Sequence, residues 1–214
     1  MSTWTCRLAI LGLTALLLAG CDEATGLPFA AELEAIAEGP DRARMAEVAL
    51  AGGDIVLSAP DGYCFDRRSV RRGKTGFAVM ARCDRLGVRG SYGGHDLAIV
   101  TLTAGPGTDK VQVPGAAEIA RSAGGARVLD TARADGVSLA LLASGPQSLD
   151  GVSQTHWRGA FVVGAHLVGV SLYAPEGGNA LSRDGARLLT RLSAKSRSAS
   201  AAARKARAQA ALKE

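Results

Sequence analysis

Thr155-His156-Trp157-Arg158-Gly159-Ala160-Phe161-Val162-Val163-Gly164-Ala165-His166-Leu167-Val168-Gly169-Val170-Ser171-Leu172-Tyr173-Ala174 is the stretch whose pattern decides the fold. Two apolar, β-branched runs meet at Gly164-Ala165, a Gly-X dipeptide suited to a two-residue hairpin turn. With Val163 opposite His166, counting back puts Trp157, Phe161, Val168, Val170 and Leu172 on one face, beside Gly159 and Thr155. That face is expected to be core. The other face carries His156 across from Tyr173 and Arg158 across from Ser171. Such a cluster suits anion binding or proton transfer, and it equally suits the polar side of a half-solvated antiparallel sheet. His166, at the turn, is expected to be exposed.

Working outward, Asp54–Ser58, Thr75–Cys83, Asp96–Ala104, Ala126–Ala134 and Val137–Ser144 read as strands, separated by Gly, Pro and Asp clusters. Pro60-Asp61-Gly62 reads as a turn and Asp135-Gly136 as a two-residue hairpin connection. Ala30–Ala37 and Asp41–Leu50 have helix-forming composition, interrupted at Gly39-Pro40. Another helix is expected over Ala116–Ala123. Ala180–Ala194 spaces Leu181, Leu188, Leu189 and Leu192 for one helical face. The alanine-rich basic segment 194–214 has few large apolar residues, so nothing obliges it to dock, and a frayed or mobile helix is expected. The expected architecture is α+β, an antiparallel sheet of about five to seven strands with helices at both ends. This order of hairpins and a terminal helix resembles small PsbP-like exported domains, a likeness of fold that implies no function.

The chain's address is written in its first residues. Leu8 to Gly20 is an uncharged apolar run after Arg7. As a helix it would span about 20 Å, short of the ~30 Å hydrocarbon core, so it reads as an export signal. Leu18-Ala19-Gly20-Cys21 resembles the lipobox of bacterial lipoproteins. The resemblance implies cleavage before Cys21, lipid on that thiol, and a protein held in the cell envelope facing the periplasm. Asp22 resembles the residue that keeps enterobacterial lipoproteins at the inner membrane. Residues 21–29 then form a tether and 30–193 a single domain. The formal charge of +5 is concentrated in the last 21 residues; residues 22–193 carry 18 Lys and Arg against 19 Asp and Glu. Overall basicity therefore gives no argument for nucleic acid as a partner.

Cys6 leaves with the signal and Cys21 is acylated, so Cys64 and Cys83 remain. In an oxidising compartment they are expected to pair, closing a loop of about 20 residues worth ~3 kcal/mol. A metal or redox site is the alternative, with neither a CxxC nor a paired His to support it. Between and after these cysteines lie Arg67, Arg68, Arg71, Arg72, Lys74, Arg82, Arg85 and Arg89 against Asp66 and Asp84. Pinned at both ends, this arginine-rich loop would concentrate guanidinium groups able to grip phosphate or carboxylate, as on anionic lipid headgroups or envelope polymers. A solvated charged loop explains the same residues.

Nucleophile elbows, HExxH, phosphate loops and Ser-x-x-Lys are absent; Gly90-Ser91-Tyr92-Gly93-Gly94 misses the elbow spacing, and Gly105-Pro106-Gly107 lacks the rest of a phosphate loop. No cofactor or metal is implied. The expectation is a non-enzymatic envelope lipoprotein that binds or scaffolds, using the arginine-rich segment or the face around His156, Arg158 and Tyr173. A periplasmic hydrolase with a dispersed site near His156 and Tyr173 is the alternative.

Overall fold

The structure, a computed structural model, describes residues 46–90, 93–134, 136–145 and 151–213. The export signal, Cys21, the tether and the helix expected at Ala30–Ala37 lie outside these residues. In order, the elements are β1 (Glu47–Leu50), β2 (Ile55–Ser58), β3 (Tyr63–Arg72), β4 (Gly76–Arg82), β5 (Ile99–Ala104), α1 (Ala116–Ser122), β6 (Val128–Ala134), β7 (Val137–Leu142), β8 (His156–Val163), β9 (His166–Tyr173) and α2 (Arg183–Ala211). The protein is α+β. A seven-stranded antiparallel sheet runs β3-β4-β5-β9-β8-β7-β6, and β1 and β2 form a separate two-stranded sheet.

The β8–β9 hairpin forms in the expected register, with Val163 opposite His166 and Trp157 opposite Leu172. Trp157, Phe161, Val168, Val170 and Leu172 are buried in one core with Met80 and Leu102, under Leu188, Leu189 and Leu192 of α2. Two glycines permit this tight packing. A Cβ at Gly159 would lie 2.2 Å from the Ser138 carbonyl oxygen, and one at Gly185 would lie 2.0 Å from that of Ala180. At the mouth of the core, Trp157 Nε1 donates to the Ser182 carbonyl over 3.0 Å. Ser182 also caps α2, its hydroxyl accepting from Asp184 N at 3.3 Å. Such a cap satisfies one of the orphan amides of a helix start.

Four expectations are corrected. The helix expected over Asp41–Leu50 gives way at Glu47–Leu50 to β1, whose buried Val48 and Leu50 alternate with Glu47 and Ala49. Burial at period two outweighs the local helix propensity of Ala, Glu and Leu. The arginine-rich loop is strand β3, at one edge of the large sheet. His166 is buried rather than exposed, because the 105–108 segment folds over the turn: His166 Nδ1 lies 2.9 Å from the Gly105 carbonyl. The basic tail is helix, as expected, to Ala211, but its first turns dock on β2 through Ser196 and Ser200.

That helix docks through hydroxyls. Ser196 Oγ accepts from Ser58 N at 3.1 Å, and Ser200 Oγ accepts from Val56 N and donates to Val56 O, both at 2.8 Å. These serines fill the free edge of β2, where backbone polar groups lack a strand partner. Ser193, Ser196 and Ser200 are fully buried. Their small size brings α2 close to the strand.

Candidate functional site

The two faces of the large sheet are covered unequally. Alternation sends Met80, Val100 and Leu172 inward, and Val79, Ile99 and Tyr173 outward. On the outward face α1 covers the β6–β7 side, packing Ile119 and Ala120 on Ala140 and Leu142. Among the described residues, no helix covers the β3–β4–β5–β9 half. There, the turn Cys83–Leu86 after β4 and the Val152 and Pro175 segments rise around a groove of about 390 Å³, walled by Val79, Leu86, Leu97, Ile99, Tyr173 and Pro175. Leu97 and Ile99 are 38% and 41% exposed, so the apolar wall of the groove is open to solvent. Asp66 and Arg85 are the charged residues of its wall.

The Cys64–Cys83 disulfide holds one end of this groove in place. It ties the start of β3 to the turn after β4, with both cysteines buried against Val88. Arg82 anchors the same turn through a bidentate pair to Asp84, both bonds 2.8 Å, and donates to the His95 carbonyl over 3.0 Å. The Arg82 guanidinium holds the Asp84 carboxyl below its ordinary range.

Strand β3 breaks its register between Asp66 and Arg71. Ser69 locks the break: its Oγ donates to the Asp66 carbonyl at 2.7 Å and accepts from Val79 N at 2.8 Å. Asp66 Oδ1 accepts from Arg68 N at 3.0 Å. Arg67, Arg68, Arg71 and Arg72 are exposed along this edge, and none has an ion pair among the described residues. A bulge and a row of like charges protect an edge strand from pairing with another chain. The same row places uncompensated positive charge beside the groove.

His156 and Tyr173 meet as expected, with rings stacked at 5.1 Å between centroids. Arg158 and Ser171 are register partners in the next position. His156 is not a solvated polar residue, however. It is buried, with Nδ1 3.1 Å from the Gln154 carbonyl, and Nε2 has no hydrogen-bond partner among the described residues. Burial pushes its pKa down; the Gln154 carbonyl opposes this and the charge of Arg158 adds to it. Its ring supports Tyr173 from behind while Tyr173 forms part of the groove wall. No group of three or more His, Cys, Asp or Glu residues arranged to hold a metal occurs among the described residues.

Sequence reasoning named Tyr173 and the arginines but missed the apolar wall. A signal was present in Gly76-Phe77-Ala78-Val79-Met80-Ala81-Arg82, which lacks the polar alternation of a strand with one face in water. No known protein-family model matches the chain, and neither a curated protein nor a solved structure matches it significantly.

Proposed function

We propose that the protein is an envelope lipoprotein, held on the periplasmic side of a membrane by lipid on Cys21, whose domain binds an anionic amphiphile. The observation that carries this reading is the open apolar groove beside an unpaired arginine edge. An acyl chain along Val79, Leu97, Ile99 and Tyr173 would remove apolar surface from water at roughly 25 cal/mol per Å². Arg85 and the β3 arginines lie where an anionic headgroup would complete the contact. The lipobox at Cys21 supports placement against such ligands, and Asp22 favours the inner membrane. The alternative, a hydrolase acting through His156 and Tyr173, has less support. His156 Nδ1 is taken up by a backbone carbonyl, and no side chain hydrogen-bonds the ring among the described residues.

Full-length protein reconstituted into vesicles containing a photoreactive anionic lipid should cross-link at Leu97, Ile99 and Tyr173. Ile99→Asp should abolish those cross-links, and neutralising Arg67, Arg68, Arg71 and Arg72 should weaken labelling and its salt sensitivity. Cross-links elsewhere, or labelling unchanged in Ile99→Asp, would overturn the groove. Cys21→Ser should leave the protein unprocessed or released from membranes; unchanged lipid labelling of that variant would overturn the anchor.

A further inference from the structure

A second site lies away from the groove, where helix α2 passes the turn before β3 and the segment before β5. Two clefts of about 240 and 450 Å³ share Gly94, His95 and Arg191 as a common wall. The smaller is predominantly polar and is lined also by Tyr63, Asp96, Asn179, Asp184 and Arg187. Most of these charges already have partners. Lys195 Nζ contacts Asp61 at 2.7 Å, and Arg187 pairs with Asp184 one turn earlier on the helix. Two charges are left over. Arg191 makes no hydrogen bond or ion pair among the described residues. Asp96 Oδ1 accepts the neutral Asn179 amide at 3.3 Å, and among the described residues no cation pairs with that carboxylate.

Asp96 sits on a packed turn. Tyr63 is buried beneath the cleft and donates its hydroxyl to the Asp96 backbone carbonyl at 2.7 Å. The His95 ring stands edge-on to Tyr63 at 6.1 Å and seals against Gly62, where a Cβ would come within 2.5 Å of the imidazole. Gly62 also has φ +82°, so the turn that brings this ring close favours glycine. Arg191 lines both clefts, which places its charge between them.

We infer that this cleft binds a small zwitterion, an α-amino acid or the end of a short peptide, with its carboxylate on Arg191 and its ammonium on Asp96. Charge balance decides the class. Asp61, Asp96 and Asp184 equal Arg187, Arg191 and Lys195 in number, so the cleft is neutral before His95 is counted. A phosphate dianion would find no surplus positive charge, whereas a ligand with one charge of each sign matches the single unpaired group of each sign. A guanidinium offers two parallel N–H donors to a carboxylate, and a carboxylate accepts from an ammonium. The smaller cleft has room for a single amino acid, and the adjoining one accepts a side chain or a second residue.

The test is titration of the full-length protein in detergent micelles with glycine, L-alanine and alanyl-alanine, followed by calorimetry and by the His95 ring resonances. At least one zwitterion should bind saturably at ~1 mM or tighter, a range typical of small polar ligands. Acetate, methylammonium and inorganic phosphate should each bind at least tenfold more weakly. Arg191→Gln and Asp96→Asn should each weaken binding at least tenfold without lowering the melting temperature, and Arg191→Lys should restore part of the loss. Absence of saturable binding by all three zwitterions, affinity unchanged in Arg191→Gln, or phosphate or acetate binding as tightly would overturn the inference. The groove reading stands or falls separately, since none of these residues lines it.

Discussion

Replacing Ser200 by alanine removes a hydroxyl that serves both polar groups of one residue, accepting from Val56 N and donating to Val56 O at 2.8 Å each. Ser200 is 0% exposed, so water does not replace the lost oxygen without opening the helix–strand interface. An unsatisfied buried amide costs about 1–3 kcal/mol, and the carbonyl less because it retains a second lone pair. Alanine returns roughly 0.5 kcal/mol through its helix propensity. The expected net loss is about 2 kcal/mol. For a domain of this size each kcal/mol moves the melting temperature by roughly 2–4 °C, so Ser200→Ala should melt about 4–8 °C lower. Calorimetry and denaturant titration should agree, with an unchanged denaturant slope marking a true stability change. The Val56 amide should exchange with solvent faster, while Ser198→Ala on the exposed side of α2 should be close to neutral. A Ser200→Ala protein that melts within a degree of the parent, with Val56 still protected, would refute hydroxyl docking of the helix.

Gly185→Ala should destabilise by about 2 kcal/mol despite improved helix propensity, because its Cβ would fall 2.0 Å from Ala180 O and 2.9 Å from Trp157 Cδ1. A denaturation midpoint at or above the parent's would show that the backbone yields there cheaply. Reducing Cys64–Cys83, or replacing both residues by serine, should lower stability by about 3 kcal/mol and loosen the turn at the groove's end. Equal melting with and without reductant would contradict this. His156 resists protonation in the folded state because burial depresses its pKa below the ordinary 6.5. The unfolded chain therefore binds the proton first, and stability should be flat above about pH 6.5 for this group and decline below it. His156→Phe should flatten that acid limb in thermal melts; parallel limbs in both proteins would exclude His156 as its source.

The central hairpin was legible because Gly164-Ala165 marks its turn and a period of two assigns every following side chain to a face. The disulfide was legible by elimination among four cysteines. Other features were hidden for reasons of distance. His166 reads as a turn residue until the Gly105 carbonyl, 61 positions earlier, covers it. The arginine row reads as a loop because neither a bulge locked by Ser69 nor an edge position leaves a periodic trace. The groove is formed by residues of four strands that lie together only when β5 pairs with β9.

From its residues alone, this chain determined most of its strands, though not β1 or β3, most of its turns, and the face of the β8–β9 hairpin that enters the core. These rest on periodicity and on backbone preferences that act within a few residues. Tertiary structure decided where the groove forms among the described residues, why a polar serine stripe is buried, and which of the described charges have no contact partner among those residues. Each of those depends on what a distant segment brings to the same place, and the hydrogen bond from Val56 to Ser200, 144 residues along the chain, is the plainest case.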